Sequence, residues 1–158
     1  MMDEHGQEPP RTFVAAKRRR ADLHHALVDV EVAISGPAAG RTPQWTAEVL
    51  KRLSILRDNL DEHIEAAERP GGLYDEITSL APHLSGKTRR LREEHAVLRD
   101  RTAELLERLE SRPIRDEQDL HDTREDVQRL LGKIVHHRQM GADLIWEAYN
   151  LDIGGHES

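Results

Sequence analysis

Apolar residues recur three and four positions apart along most of this chain, the spacing of one helical face, and nowhere alternate as in a half-buried strand. Four stripes stand out. The first is Leu23, Leu27, Val30 and Ile34; the second is Trp45, Val49, Leu53, Leu56, Leu60 and Ile64. The third runs through Leu84, Leu91, Leu98, Thr102, Leu105 and Leu109, and the fourth through Val127, Leu130, Ile134, Leu144, Ile145 and Ala148. Turn-forming residues separate them. The first helix is predicted from Thr12 to Ile34, closed by Ser35-Gly36-Pro37-Ala38-Ala39-Gly40. Thr42-Pro43 opens the second with a capping hydroxyl and Pro at the first helical position, and Pro70-Gly71-Gly72 ends it. Leu73 to Leu80 reads as a short helical turn or bent connector. Pro82 opens the third long helix, which stops at Ser111-Arg112-Pro113. Asp116 caps the fourth, which runs to Asn150 and ends at Gly154-Gly155. Residues 1–11, polar and proline-rich at their end, read as a disordered tail, which leaves 12–155 as one domain. Four long helices with short loops predict an all-α, antiparallel up-down four-helix bundle.

Composition narrows what such a bundle does. The chain has 158 residues, enough for one domain with a real core. Lys and Arg number 23 against 30 Asp and Glu, a net −7 at pH 7, which repels nucleic acid and anionic lipid. The basic run Lys17-Arg18-Arg19-Arg20 wraps round a helix and reads as solvated surface. No apolar run is long enough to span a bilayer and no signal peptide is visible, so a cytoplasmic location is expected. The absence of cysteine excludes disulfides, thiolate catalysis, zinc fingers and iron–sulfur clusters. Glu93-Glu94 and Asp75-Glu76 are sequence neighbours that do not converge as an acid/base pair. There is no phosphate loop, dinucleotide fingerprint or nucleophile elbow, and an enzyme is the less favoured class without being excluded. Trp146 and Tyr149 read as packing or self-association contacts, toward a homo-oligomer or another protein partner.

Ten histidines in a chain with two Trp, two Tyr and one Phe are the compositional signal for metal. Counting about 100° per residue, His63, His95 and His137 fall roughly 50°, 30° and 40° from the centres of their stripes. His24 sits at the edge of the first stripe, while His25, His121 and His136 point outward. Each helix therefore offers one histidine to the interior. A neutral imidazole suits iron, zinc or copper, and bundles build metal sites from facing helices. The other reading is a set of hydrogen-bonded core histidines. The levels do not match directly: His95 lies 15 residues before the end of its helix and His137 lies 21 after Asp116. At ~1.5 Å per residue the offset is ~9 Å.

One histidine per helix, with Glu94-His95-x-x-Leu98 on the third, resembles the hemerythrin-like (HHE cation-binding) family from about Asp22 to Gly155. The segments from His63 to Tyr74 and from His137 to Gly155 are similar to a bacterial branch of it. The resemblance implies two non-heme iron ions and a role in oxygen binding, iron or oxygen sensing, or the handling of NO and peroxide. It implies His24, His63, His95 and His137 as ligands. The family places a carboxylate four residues after the second-helix and fourth-helix histidines; here those positions hold Ala67 and Gly141. Its additional histidine one turn away on the third helix is replaced by Leu91 and Arg99. Glu68 is then the candidate fifth ligand, with Glu94 on the stripe's flank. The expectation is a reduced site for one metal ion, non-heme iron first and zinc next, with a sensing, redox or storage role. The alternatives are a metal-free bundle serving as a protein-interaction module, and heme held by paired histidines in the space beside Ala67 and Gly141.

Overall fold

The computed structural model describes residues 8–154, with side chains through residue 150. It is all-helical: α1 is Arg11–Ser35, α2 Thr42–Glu68, α3 Leu73–Leu80, α4 Ser85–Ser111 and α5 Glu117–Gly154. One 3₁₀ turn, Pro82–Leu84, precedes α4. The four long helices pack as a ring in which α1 and α4 each touch both α2 and α5. The short α3 lies against all four. Among the described residues no helix is long and apolar enough to cross a membrane.

The helix ends refine the expected boundaries. α1 begins at Arg11, because the Pro10 carbonyl already accepts from the Phe13 and Val14 amides. Phe13 and Ala16 are buried, two core positions beyond the expected stripe. Residues 1–7 of the expected tail, and Gly155 of the expected stop, lie outside the described residues. Thr42 is the first residue of α2 and not its cap, Arg41 taking that place. Asp116 does cap α5: its Oδ1 accepts the Asp119 amide at 2.8 Å, while Asp119 Oδ2 accepts the Arg115 amide at 3.1 Å. Two orphan donors are met reciprocally, the logic of a capping box. Leu73 to Leu80 is a complete two-turn helix, not a bent connector. Leu73, Tyr74 and Ile77 form its buried side.

The core comes in two clusters. The larger joins the stripes from Leu23 to Ile34, Trp45 to Ile64, Leu98 to Leu109 and Val127 to Ile134. The smaller gathers Phe13, Ala16, Ala67, Leu73, Tyr74, Ile77, Leu91, Leu144 and Ala148 around α3. The boundary between them is polar. On α2 it falls between Ile64 and Ala67, one residue beyond His63, on α4 between Leu91 and Leu98 at His95, and on α5 between Ile134 and Leu144 at His137.

The ~9 Å level offset disappears in the folded chain, where the His95 and His137 ring centroids are 4.7 Å apart. His95 stands 16 residues before Ser111 and His137 stands 20 after Glu117. The remaining four residues are worth ~6 Å of helix. The connector 112–116 leaves α4 through an extended residue, Arg112 (φ −132°, ψ 121°), and an extended residue advances ~3.3 Å, about twice the helical rise.

Candidate metal centre

Three helices each deliver one imidazole to the polar layer. His63 comes from α2, His95 from α4 and His137 from α5, and one ring nitrogen from each lies within 4.8 Å of the other two. His95 and His137 are almost completely buried and His63 is partly so. The Nε2 atoms of His63 and His137 are 3.4 Å apart.

Carboxylates set the tautomers. His95 Nδ1 lies 2.6 Å from Glu68 Oε2, and His137 Nδ1 lies 2.7 Å from Glu94 Oε1. A carboxylate only accepts, so each Nδ1 carries the hydrogen and donates it. The Nε2 lone pairs of both rings therefore face the interior. His63 Nε2–H is left to point at His137 Nε2, and the Tyr74 hydroxyl donates to His95 Nε2 at 3.1 Å. Tyr74 is itself buried and stacks on His95, with ring centroids 5.6 Å apart and planes 13° apart.

The electrostatics keep all three rings neutral. Burial, reinforced by the charge of His137, Arg19 and Arg20, lowers the His63 pKa to about 4. Burial with the neighbouring imidazoles lowers that of His95 to about 2. Burial also lowers that of His137, against the opposing pull of Glu94. The neutral imidazole is the form that ligates metal, and His95 and His137 already turn their Nε2 lone pairs inward. The Tyr74 phenol is pushed above its ordinary value by burial and by Glu68, with Arg92, whose guanidinium lies 5.6 Å over the ring, pulling the other way.

The first helix departs from the expected pattern. His24 is exposed and its Nδ1 accepts from Arg138 Nη1 at 2.8 Å, so the structure does not bring it to the other three. What α1 turns toward the layer is cationic. Arg20 is half-buried, with its Nη1 enclosed and without a partner, and Arg138 is close enough to depress its pKa. Glu68 is at the site, but bound to the outer nitrogen of His95 rather than facing the interior. Glu94 holds the equivalent place on His137. Ala67 is buried in the same cluster as Tyr74. A side chain added at Gly141 would begin in open space. His25, His121 and His136 are exposed, as their spacing predicts.

Compared with family models, curated proteins and solved structures, the chain matches none.

The residue that sequence reasoning missed is Tyr74. Its place depends on the turn before it. Gly71 adopts φ +73°, a left-handed conformation that Gly takes without steric cost. Gly72 then passes so close to the end of α2 that a Cβ there would stand 2.5 Å from the Ala66 carbonyl oxygen. Asp75 Oδ2 accepts the Gly71 amide at 2.7 Å and braces the turn. The signal was present in the sequence as Pro70-Gly71-Gly72 followed by an apolar Leu73-Tyr74 pair, which a bundle-end helix buries.

Two surface hollows of about 730 and 700 Å³ lie around the α1–α2 turn and are lined by none of the three central histidines.

Proposed function

We propose that this protein binds one transition-metal ion through His63, His95 and His137, inside an antiparallel up-down bundle of hemerythrin-like kind whose metal site is reduced. The observation that carries the reading is the pair of short bonds from the outer histidine nitrogens to Glu68 and Glu94. Histidines that ligate metal nearly always donate their other N–H to such a partner, which fixes the ring and makes the ligating nitrogen more basic. Two of three convergent imidazoles carry that support, and the third approaches to a distance at which nitrogens sharing one ion stand. Two hydrogen-bonded carboxylates one ring away also offset the charge that three neutral ligands leave on a divalent ion.

Imidazole donors suit iron, zinc, copper and nickel, and iron is the reading we favour. Bound there, the ion would supply an exchangeable coordination position for oxygen, redox or metal sensing, or for storage, in the cytoplasm. Two metals are disfavoured because Glu68 and Glu94 are engaged by the outer nitrogens and no carboxylate stands at Ala67 or Gly141. Heme is disfavoured because Ala67 is buried in the same packed cluster as Tyr74, Leu144 and Ala148. The competing function, a metal-free interaction module, draws on Trp146, which is 69% exposed on α5.

Metal content per chain, measured by mass spectrometry on protein purified without chelator, separates these readings. One metal per chain, lost in His63→Ala or His137→Ala, is the expected result. Two irons per chain would restore a two-metal site. Nothing bound after anaerobic loading with ferrous iron and with zinc would leave the interaction module.

A further inference from the structure

The lengths of the contacts inside the histidine layer divide into two kinds. Those to the carboxylates, 2.6 and 2.7 Å, are short hydrogen bonds. The two inner ones are long: 3.4 Å between His63 Nε2 and His137 Nε2, and 3.1 Å between Tyr74 Oη and His95 Nε2. Hydroxyl-to-oxygen hydrogen bonds cluster near 2.7–2.8 Å, and N–H-to-oxygen ones end near 3.2 Å. Donor atoms sharing one ion at bonds of ~2.1 Å stand ~3.0 Å apart along an octahedral edge and ~3.4 Å along a tetrahedral one. The inner contacts have the lengths of coordination edges, and one of their four atoms is a phenol oxygen.

We infer that Tyr74 is the fourth ligand of this site, and that its phenolate makes the site select a trivalent ion, ferric iron, over divalent ones. The inference rests on the metal-binding reading of His63, His95 and His137. On binding, the Tyr74 O–H bond breaks, the oxygen keeps the electron pair and bonds to the metal, and the proton leaves to solvent. No electron is transferred. Three imidazoles bring no negative charge, and a hard anionic oxygen favours a hard ion over the softer partners of nitrogen. Tyr74 thus supplies from α3 the anionic oxygen that Ala67 and Gly141 do not supply from α2 and α5. Its position is held before any metal arrives. The ring is stacked on His95, Arg92 lies 5.6 Å over it, and the Gly71-Gly72 turn brings the start of α3 tight against the end of α2.

The test loads the full chain with ferrous iron anaerobically, oxidises it with ferricyanide and records visible absorption and resonance Raman spectra. A phenolate-to-iron charge-transfer band with tyrosinate ring vibrations is expected in the native chain. It should vanish in Tyr74→Phe and persist in Tyr149→Phe, the only other tyrosine being Tyr149. Ferric affinity should fall at least ~10-fold in Tyr74→Phe, the scale already lost when only the hydrogen-bond partner of a ligand is removed. Zinc affinity should fall less. Bound ferric iron without tyrosinate vibrations, or equal ferric affinity in Tyr74→Phe, overturns the inference while the histidine site stands. Binding of neither iron nor zinc by the native chain overturns the histidine site and the tyrosine's role with it.

Discussion

On the Trp45 side of the imidazoles the long helices meet almost entirely in leucine, valine and isoleucine; on the Tyr74 side the same helices need a fifth to close them. The first region is fastened at its far end by Arg124, whose Nε and Nη2 donate to the carbonyls of Ile34 and Gly36, each at 2.8 Å. Its guanidinium also lies 5.4 Å over the Trp45 ring. Its large side chains serve packing, and most were visible as stripes; Ala26, Ala38, Leu106 and Leu131 are buried beside them without belonging to one. The second region holds fewer large apolar residues and is filled out by α3, Phe13 and the small residues Ala16, Ala67 and Ala148. The layer between carries three neutral imidazoles that burial would otherwise disfavour. The comparison teaches that stability is concentrated at one end, which leaves the other free to hold costly polar groups.

Acid breaks the comparison most strongly. The unfolded chain takes up protons near the ordinary histidine value of ~6.5. Folded His63 and His95 do so only near pH 4 and 2, and the His137 pKa is lowered too. Stability is therefore full above about pH 6.5 and falls as pH drops below it, by about 1.4 kcal/mol per pH unit for each of His63 and His95. Over two units the two together cost about 5 kcal/mol, with His137 adding in the same direction. Urea unfolding at pH 7 and in acid measures this, and His63→Leu should flatten the slope by one residue's share. A loss of stability toward alkaline pH instead would show that the histidines fold charged.

Leu56→Ala strikes the leucine region, where the side chain is wholly buried. It should cost about 2–5 kcal/mol in urea unfolding, with metal stoichiometry of the folded protein unchanged. Coupled loss of metal would mean that the two regions are not separable.

Gly72→Ala strikes the other end. Its new methyl must displace the Ala66 or Arg69 carbonyl, a loss of about 1–3 kcal/mol. Because α3 moves with the turn, the tyrosinate band should weaken as well, and an unaltered band would separate Tyr74 from this turn.

Glu94→Gln has the smallest expected effect, ~10-fold or somewhat more in metal affinity, about 1.4 kcal/mol per tenfold, with little change in metal-free melting. Unchanged affinity, measured by competition with a chelator, would remove Glu94 from the site.

How much could be read from the chain follows the same division. Stripes and turn residues placed the four long helices, because helical period and glycine–proline punctuation are local properties. They also brought His63, His95 and His137 inward. His24 was misjudged because an azimuth at the edge of a stripe does not say what covers it, and Arg138 holds it outside. Glu68 was expected as a fifth ligand and instead accepts from the outer nitrogen of His95, a distinction between the two nitrogens of an imidazole that a count of positions does not make. Tyr74 was lost because eight residues are too few for periodicity to separate a helix from a bend.

The connector between α4 and α5 has a consequence for how such a site can change. His137 stands 20 residues beyond the start of α5, ~30 Å along its axis, yet the length of that connector sets which residue of α5 meets His95. Loss or gain of one residue in 112–116 slides α5 by a fraction of a turn and trades the imidazole for a neighbour. A lineage could abolish or relocate the proposed metal site there without altering any of the three histidines, and chains that share them but differ in that loop need not share their chemistry.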